Sequence, residues 1–144
     1  MPAQQDVNEM MAGYAKVAVD CASNSFGVRL DYSVESIERL EHLLSQLYSK
    51  LPRGFFQKLL QRGLTHGEVE KASEMFGAYI GEVIRRHGGG TWEMDTRFTR
   101  GHICLRKDEK RIYPASKVYK RLTQGPSDSV WFYVQYLMQE GWSG

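Results

Sequence analysis

The sequence predicts an α+β domain in which four or five helices pack around and against a small three-stranded antiparallel sheet. Three observations carry this reading. Apolar residues recur at three- and four-residue spacing through long stretches before residue 88, which is helical periodicity. Between Thr91 and Tyr113 the pattern changes to two-residue alternation in three short runs, as in half-covered strands. After Ser116 helical spacing returns and continues to Gly141. A chain of 144 residues is long enough for one domain with a real core and short for two, so residues 1–144 form one domain, with 1–6 as a mobile leader.

The first helix is expected from Val7 to Ser25, with Met10, Tyr14, Val17, Ala18 and Cys21 on its apolar face. Gly27 breaks the period, and Phe26 to Tyr32 reads as an extended link carrying Val28 and Leu30 inward. Ser33 then caps a second helix whose Ile37, Leu40, Leu43, Leu44 and Leu47 run to Ser49 before Pro52 and Gly54 stop it. A brief helix fits Phe55 to Gln61.

The strongest helical signal is THGEVEKASEMFGAYIGEVIRRHGGGTW, residues 65–92. Thr65 and Glu68 form a capping box at its start. Arg85, Arg86 and His87 suit the negative end of the helix dipole, and Gly88 is the expected left-handed cap. Val69, Ala72, Ser73, Phe76, Ile80, Val83 and Ile84 make one apolar stripe. The opposite face, with Lys71, Ala78, Glu82, Arg85 and Arg86, reads as solvated, Glu82 pairing with Arg86 one turn on. Gly77 and Gly81 each cost a helix about 1 kcal/mol relative to alanine, so a second backbone is expected to approach them closely.

The strands are Thr91 to Phe98, Gly101 to Lys107 and Lys110 to Tyr113. Trp92, Met94 and Thr96 share a face of the first, as Ile103 and Leu105 do of the second. Asp108 and Glu109 make the turn between the last two, although neither takes positive φ easily. Pro114 ends the third strand, and Ser116 caps a short helix, Lys117 to Thr123, that stops at Gly125. Ser127 or Asp128 caps the last helix, 127–141, whose Val130, Trp131, Tyr133, Val134, Leu137 and Met138 form a broad apolar surface.

Composition excludes several classes. Hydrophobic residues at 42% and charged residues at 25% are ordinary for a globular domain, and no run approaches the roughly 18 apolar residues that span a bilayer. MPAQQDVNEM lacks the basic and apolar regions of a secretory signal, so a cytoplasmic location and no membrane partner are expected. Cys21 and Cys104 read as core thiols. Charge is uneven: residues 1–50 hold four bases against seven acids, and residues 91–125 hold nine bases against four acids. That asymmetry favours a charged partner.

No catalytic signature emerges. Gly88 to Gly90 follow a helix C-terminus, whereas phosphate loops feed an N-terminus, and neither GxxxxGK[ST] nor GxGxxG occurs. His66-Gly67-Glu68 matches half of a zinc deaminase signature whose P-C-x-x-C half is missing. His102 and Cys104 share a strand face and supply two metal ligands of the four required. Gly125-Pro126-Ser127-Asp128-Ser129 is a helix start, not a nucleophile elbow. The pattern calls for no cofactor and no metal.

Three stretches carry a resemblance: LDYS at 30–33, GAYIGEVIRRHGG with Trp92 at 77–92, and PASKVYKRLTQGPSDSV at 114–130. Together they resemble a family of small bacterial proteins of uncharacterised function, built on a domain of unknown function. The most specific positions are Gly77, Tyr79, Gly81, Glu82, Val83 and Trp92, then Lys117, Val118, Lys120, Arg121, Gly125, Asp128 and Ser129. The resemblance spans most of the chain and supplies no catalytic residues. It implies a compact cytoplasmic bacterial domain and, by analogy alone, a partner or immunity factor for a toxin.

The reading that follows is a non-enzymatic protein-binding module, with Glu82, Arg85, Arg86, Lys117, Tyr119, Lys120, Arg121 and Asp128 as the contact residues. The alternative is a nucleic-acid-binding protein using the basic segment 97–121, where Arg111, Tyr113 and Lys117 to Arg121 interleave cations and aromatics. A third class is a small hydrolase built on Glu82 or Asp128 with a histidine, which requires a pocket holding a perturbed carboxylate.

Overall fold

A computed structural model describes residues 4–50, 67–97 and 102–142. The expected cap Thr65, the helix Phe55–Gln61, His66 and the strand ends at Phe98 and Gly101 lie outside the described residues. The described part is α+β. Five α-helices, α1 (Gln4–Phe26), α2 (Ser36–Lys50), α3 (Gly67–Gly88), α4 (Pro114–Gln124) and α5 (Val130–Tyr136), accompany strands β1 (Thr91–Asp95), β2 (His102–Lys107) and β3 (Lys110–Ile112). A 3₁₀ turn, Pro126–Asp128, precedes α5, and a π-helical turn, Leu137–Gly141, follows it. Because α1 begins at Gln4, residues 4–6 belong to it and not to a leader.

The three strands form one antiparallel sheet in the order β1-β2-β3. The register sets Trp92 opposite Leu105 and Met94 opposite Ile103, so the apolar residues of both strands lie on one face, as the alternation predicts. Asp108 takes φ of +55°, a value aspartate tolerates better than most residues, and Arg106 Nε donates to its carbonyl at 2.9 Å.

α3 is the axis of the core. Phe76, Ala78, Tyr79, Ile80, Glu82, Val83 and Ile84 are all buried, so over these residues the helix is enclosed on every side. The solvated face expected at Ala78 and Glu82 does not exist, because α1 packs on one side of α3 and α4 on the other. The glycines make that enclosure sterically possible. A Cβ on Gly77 would lie 2.6 Å from the backbone of Ala115 in α4, which is the expected close backbone approach. At Gly81 the neighbour is a ring instead: a Cβ there would overlap the six-membered ring of Trp92.

Burial on α1 falls on Val7, Met11, Ala15, Ala18 and Ala22. Of the expected face only Ala18 is fully buried, while Tyr14 and Val17 are exposed. Alanines at the contact let α1 approach α3 closely, and the larger side chains are displaced to the edge of the interface.

Several boundaries shift for local reasons. The Ser36 N–H donates to Ser33 Oγ at 3.1 Å, so Ser33 caps the turn leading into α2, as expected. The left-handed residue after α3 is Gly89, with φ of +87°, because Gly88 remains helical. Pro114 opens α4, where its missing N–H costs nothing. Ser129 caps α5 in place of Ser127 or Asp128, its Oγ accepting from the Phe132 N–H at 3.1 Å.

Candidate functional site

The sequence-derived contact residues separate into two clusters and a buried arginine. The first lies at the C-terminal end of α3. Glu82 is 1% exposed and accepts from Arg85 Nε at 2.7 Å, Arg85 Nη2 at 3.1 Å and the Trp92 indole N–H at 2.9 Å. Arg86 Nη2 stands 3.6 Å away, so the expected i, i+4 pair exists but is weaker than the pair with Arg85. Burial alone would raise the Glu82 carboxyl, yet the hydrogen bonds from Arg85 and Trp92 and the two arginine charges outweigh it and lower the pKa. Glu82 is therefore ionised, and its hydrogen bonds hold α3 to β1.

Arg86 turns outward and lies over the Tyr32 ring at 3.8 Å from its centroid. Tyr32 has φ of +66°, a conformation that non-glycine residues rarely adopt. Three contacts hold it there: its N–H donates to Tyr79 Oη at 2.8 Å, its carbonyl meets His87 Nε2 at 2.9 Å, and its ring packs against that of Tyr79. Ser36 Oγ and Tyr79 Oη share a further bond of 2.5 Å. Motif residues at 30–33 and 77–92 thus meet in space, as a strap clamped to α3.

The second cluster lies along α4 and the start of α5. Lys117 Nζ reaches Asp128 Oδ1 at 3.4 Å and lies 5.5 Å from the centre of the Tyr133 ring. Lys117, Lys120, Asp128, Arg111, Tyr113 and Tyr133 line an open groove of about 370 Å³. Tyr119 is half-buried against the core.

Arg121 belongs to neither set. It is 0% exposed and faces α2, where Nε donates to Glu41 Oε2 at 2.8 Å and Nη2 donates to Ser45 Oγ. Glu41 Oε1 in turn accepts the Val130 N–H at 2.8 Å, tying α2, α4 and α5 together. Sequence reading placed Arg121 on a polar surface because its partner Glu41 is 80 residues away. Glu82 and Asp128 occupy different clusters, each committed to a basic partner.

Features that sequence reading missed lie on the outer face of the sheet and on α5. Asp95 is buried, accepting from Arg97 Nη2 at 2.7 Å and from the Tyr113 hydroxyl at 2.5 Å, and these bonds hold its carboxyl well below the usual carboxylate range. Glu93 bridges Arg106 at 3.4 Å and Arg111 at 3.3 Å. Cys104 is buried on this face, and burial pushes its thiol up to about 11, which keeps it protonated and unreactive at neutral pH. Its strand neighbour His102 is exposed, and among the described residues no group of three or more histidine, cysteine or acidic side chains gathers around a common point.

On α5, Phe132 is 71% exposed and Tyr136 is 56% exposed, one turn apart. Their i, i+4 spacing outside the stripe of Val130 and Val134 is the signal that identifies an outward aromatic pair. No helix among the described residues is long and apolar enough to cross a membrane. No family model, curated protein or solved structure matches the chain.

Proposed function

We propose that the chain is a protein-binding module that acts by docking a partner, without chemistry of its own. The observation that carries this reading is the exposed pair Phe132 and Tyr136 on a short helix anchored from below by Val130 and Val134. Exposing two large aromatic rings is costly in water, and such residues dominate protein–protein contacts. Gln135, Gln139 and Glu140 surround them with the polar rim such contacts have. Lys117, Lys120 and Asp128 line the groove on the neighbouring side of α5, with Tyr133 between. Of the original contact residues these three, with Arg85 and Arg86, keep exposed or half-exposed polar groups, whereas Arg121 and Glu82 serve the core. A partner-regulating role, of which toxin immunity is one form, is consistent with such a scaffold.

The test is capture of partners from source lysate, with nuclease, by the tagged protein and by Phe132→Ser/Tyr136→Ser. One protein retained stoichiometrically by the parent and lost by the double variant supports the reading. Equal retention by both overturns the assignment of this surface.

A second reading rests on the same groove. Arg111, Lys117 and Lys120 alternate there with Tyr113 and Tyr133, the mixture that grips a phosphate backbone and stacks a base. Two of these cations are already paired, Arg111 with Glu93 and Lys117 with Asp128, which weakens it. Nucleic-acid binding by this route gives a mobility shift that disappears steeply between low and moderate salt. A shift absent at low salt rules it out.

A further inference from the structure

A cleft away from the aromatic pair opens between α1, the start of α3, the apolar face of the sheet and the first turn of α4, with a volume of about 290 Å³. Its lining is chemically uneven. Met11 and Trp92 are buried side chains of the lining, and Met10, Met94 and Ile103 are half-buried beside them. Three thioethers, an indole and a branched alkyl group offer a polarisable apolar surface, and methionines reshape easily around a flat ring. Glu74 stands at the exposed edge and forms no ion pair among the described residues. Lys71, one turn earlier on α3, lines the adjoining shallow groove and not the cleft. Tyr14 and Glu74 are shared by cleft and groove, so the mouth stays open toward α1.

We propose that this cleft binds a small molecule consisting of one aromatic ring and a short cationic tail. The ring inserts among Met10, Met94 and Ile103 above Trp92, and the tail meets the Glu74 carboxylate at the mouth. The volume lies just below the range of about 300–1,000 Å³ typical of ligand pockets, which suits a single ring and not a nucleotide. Glu74 is the single carboxylate of the lining, whose other polar members are Tyr14, His102, Tyr113 and Ser116, and a carboxylate at the mouth selects the sign of the tail. This site is independent of the partner surface on α5, and either proposal stands without the other.

The probes are 2-phenylethylamine and its anionic counterpart 3-phenylpropionate, titrated into full-length protein carrying ¹³C-methyl methionine. The six methionines report separately, with Met138 as a remote control. Saturable shifts of the Met10, Met11 and Met94 methyls with the amine, and none that saturate with the anion, are expected. Glu74→Gln, a change at an exposed position, should weaken the amine about threefold, the scale of one exposed ion pair. Failure of the amine to saturate those methyls, equal response at Met138, equal affinity for the anion, or unchanged affinity in Glu74→Gln each overturns the proposal.

Discussion

The indole of Trp92 occupies the space that a side chain on Gly81 would fill and donates its N–H to Glu82 at 2.9 Å, so adjacent positions of one helix supply the room and the acceptor for one ring. The strand that carries Trp92 is thereby fixed to the central helix by shape and charge together. Replacing Glu82 by alanine leaves the indole N–H buried without its acceptor, and the expected cost is about 1–3 kcal/mol. The pH dependence has a definite sign. The folded-state pKa of Glu82 is depressed below its ordinary value of 4.5, so its contribution is fully present above that value and is lost as pH falls through the folded pKa. Urea denaturation at pH 7 and below pH 4 should show a smaller acid-induced loss of stability in Glu82→Gln than in the parent.

Gly77 and Gly13 make a matched pair. Both lie inside helices, where alanine is favoured by about 1 kcal/mol. Nothing lies within 4 Å of a Cβ on Gly13, so Gly13→Ala should stabilise by about 0.5–1 kcal/mol. A Cβ on Gly77 meets backbone atoms of Ala115 that no rotamer change can move, and Gly77→Ala should destabilise by about 1–3 kcal/mol. Opposite shifts of the urea midpoint at a constant slope are the check; stabilisation by both would mean that α3 and α4 separate easily.

Lys107 joins the ends of two helical segments with one ammonium group. Its Nζ donates to the Gly88 carbonyl at 2.7 Å and to the Trp142 carbonyl at 2.6 Å, while the Trp142 indole donates to the Gly89 carbonyl at 2.8 Å. Gly88 and Gly90 make the socket for this ring, since a Cβ on either would press into it. Lys107→Met keeps the stem and removes the donors, with an expected loss of about 1–3 kcal/mol. Faster amide exchange in the turn after α5, with α1 unchanged, is the local signature. An unchanged exchange rate there would show that the turn holds without Lys107.

What the sequence determined by itself is the local part of this protein. Periodicity placed the α3 stripe from Val69 to Ile84, alternation placed the sheet and its apolar face at Trp92, Met94, Ile103 and Leu105, and Ser33 marked the entry to α2, because these signals depend on neighbours a few residues apart. The tertiary structure alone decided the fate of the charged side chains. Glu82 and Arg121 have the composition of surface residues, and both are buried where other elements meet them: Trp92 of the sheet joins Arg85 of the same helix on Glu82, and Glu41 and Ser45 of α2 take Nε and Nη2 of Arg121, whose Nη1 has no hydrogen-bond partner among the described residues. The same holds for α1, where periodicity allowed more than one apolar face and the close contact with α3 selected the alanine face, leaving Tyr14 and Val17 outside. Burial of a charge depends on whether other groups can replace its water, and the groups that arrive from other elements leave no trace in the pattern of one helix.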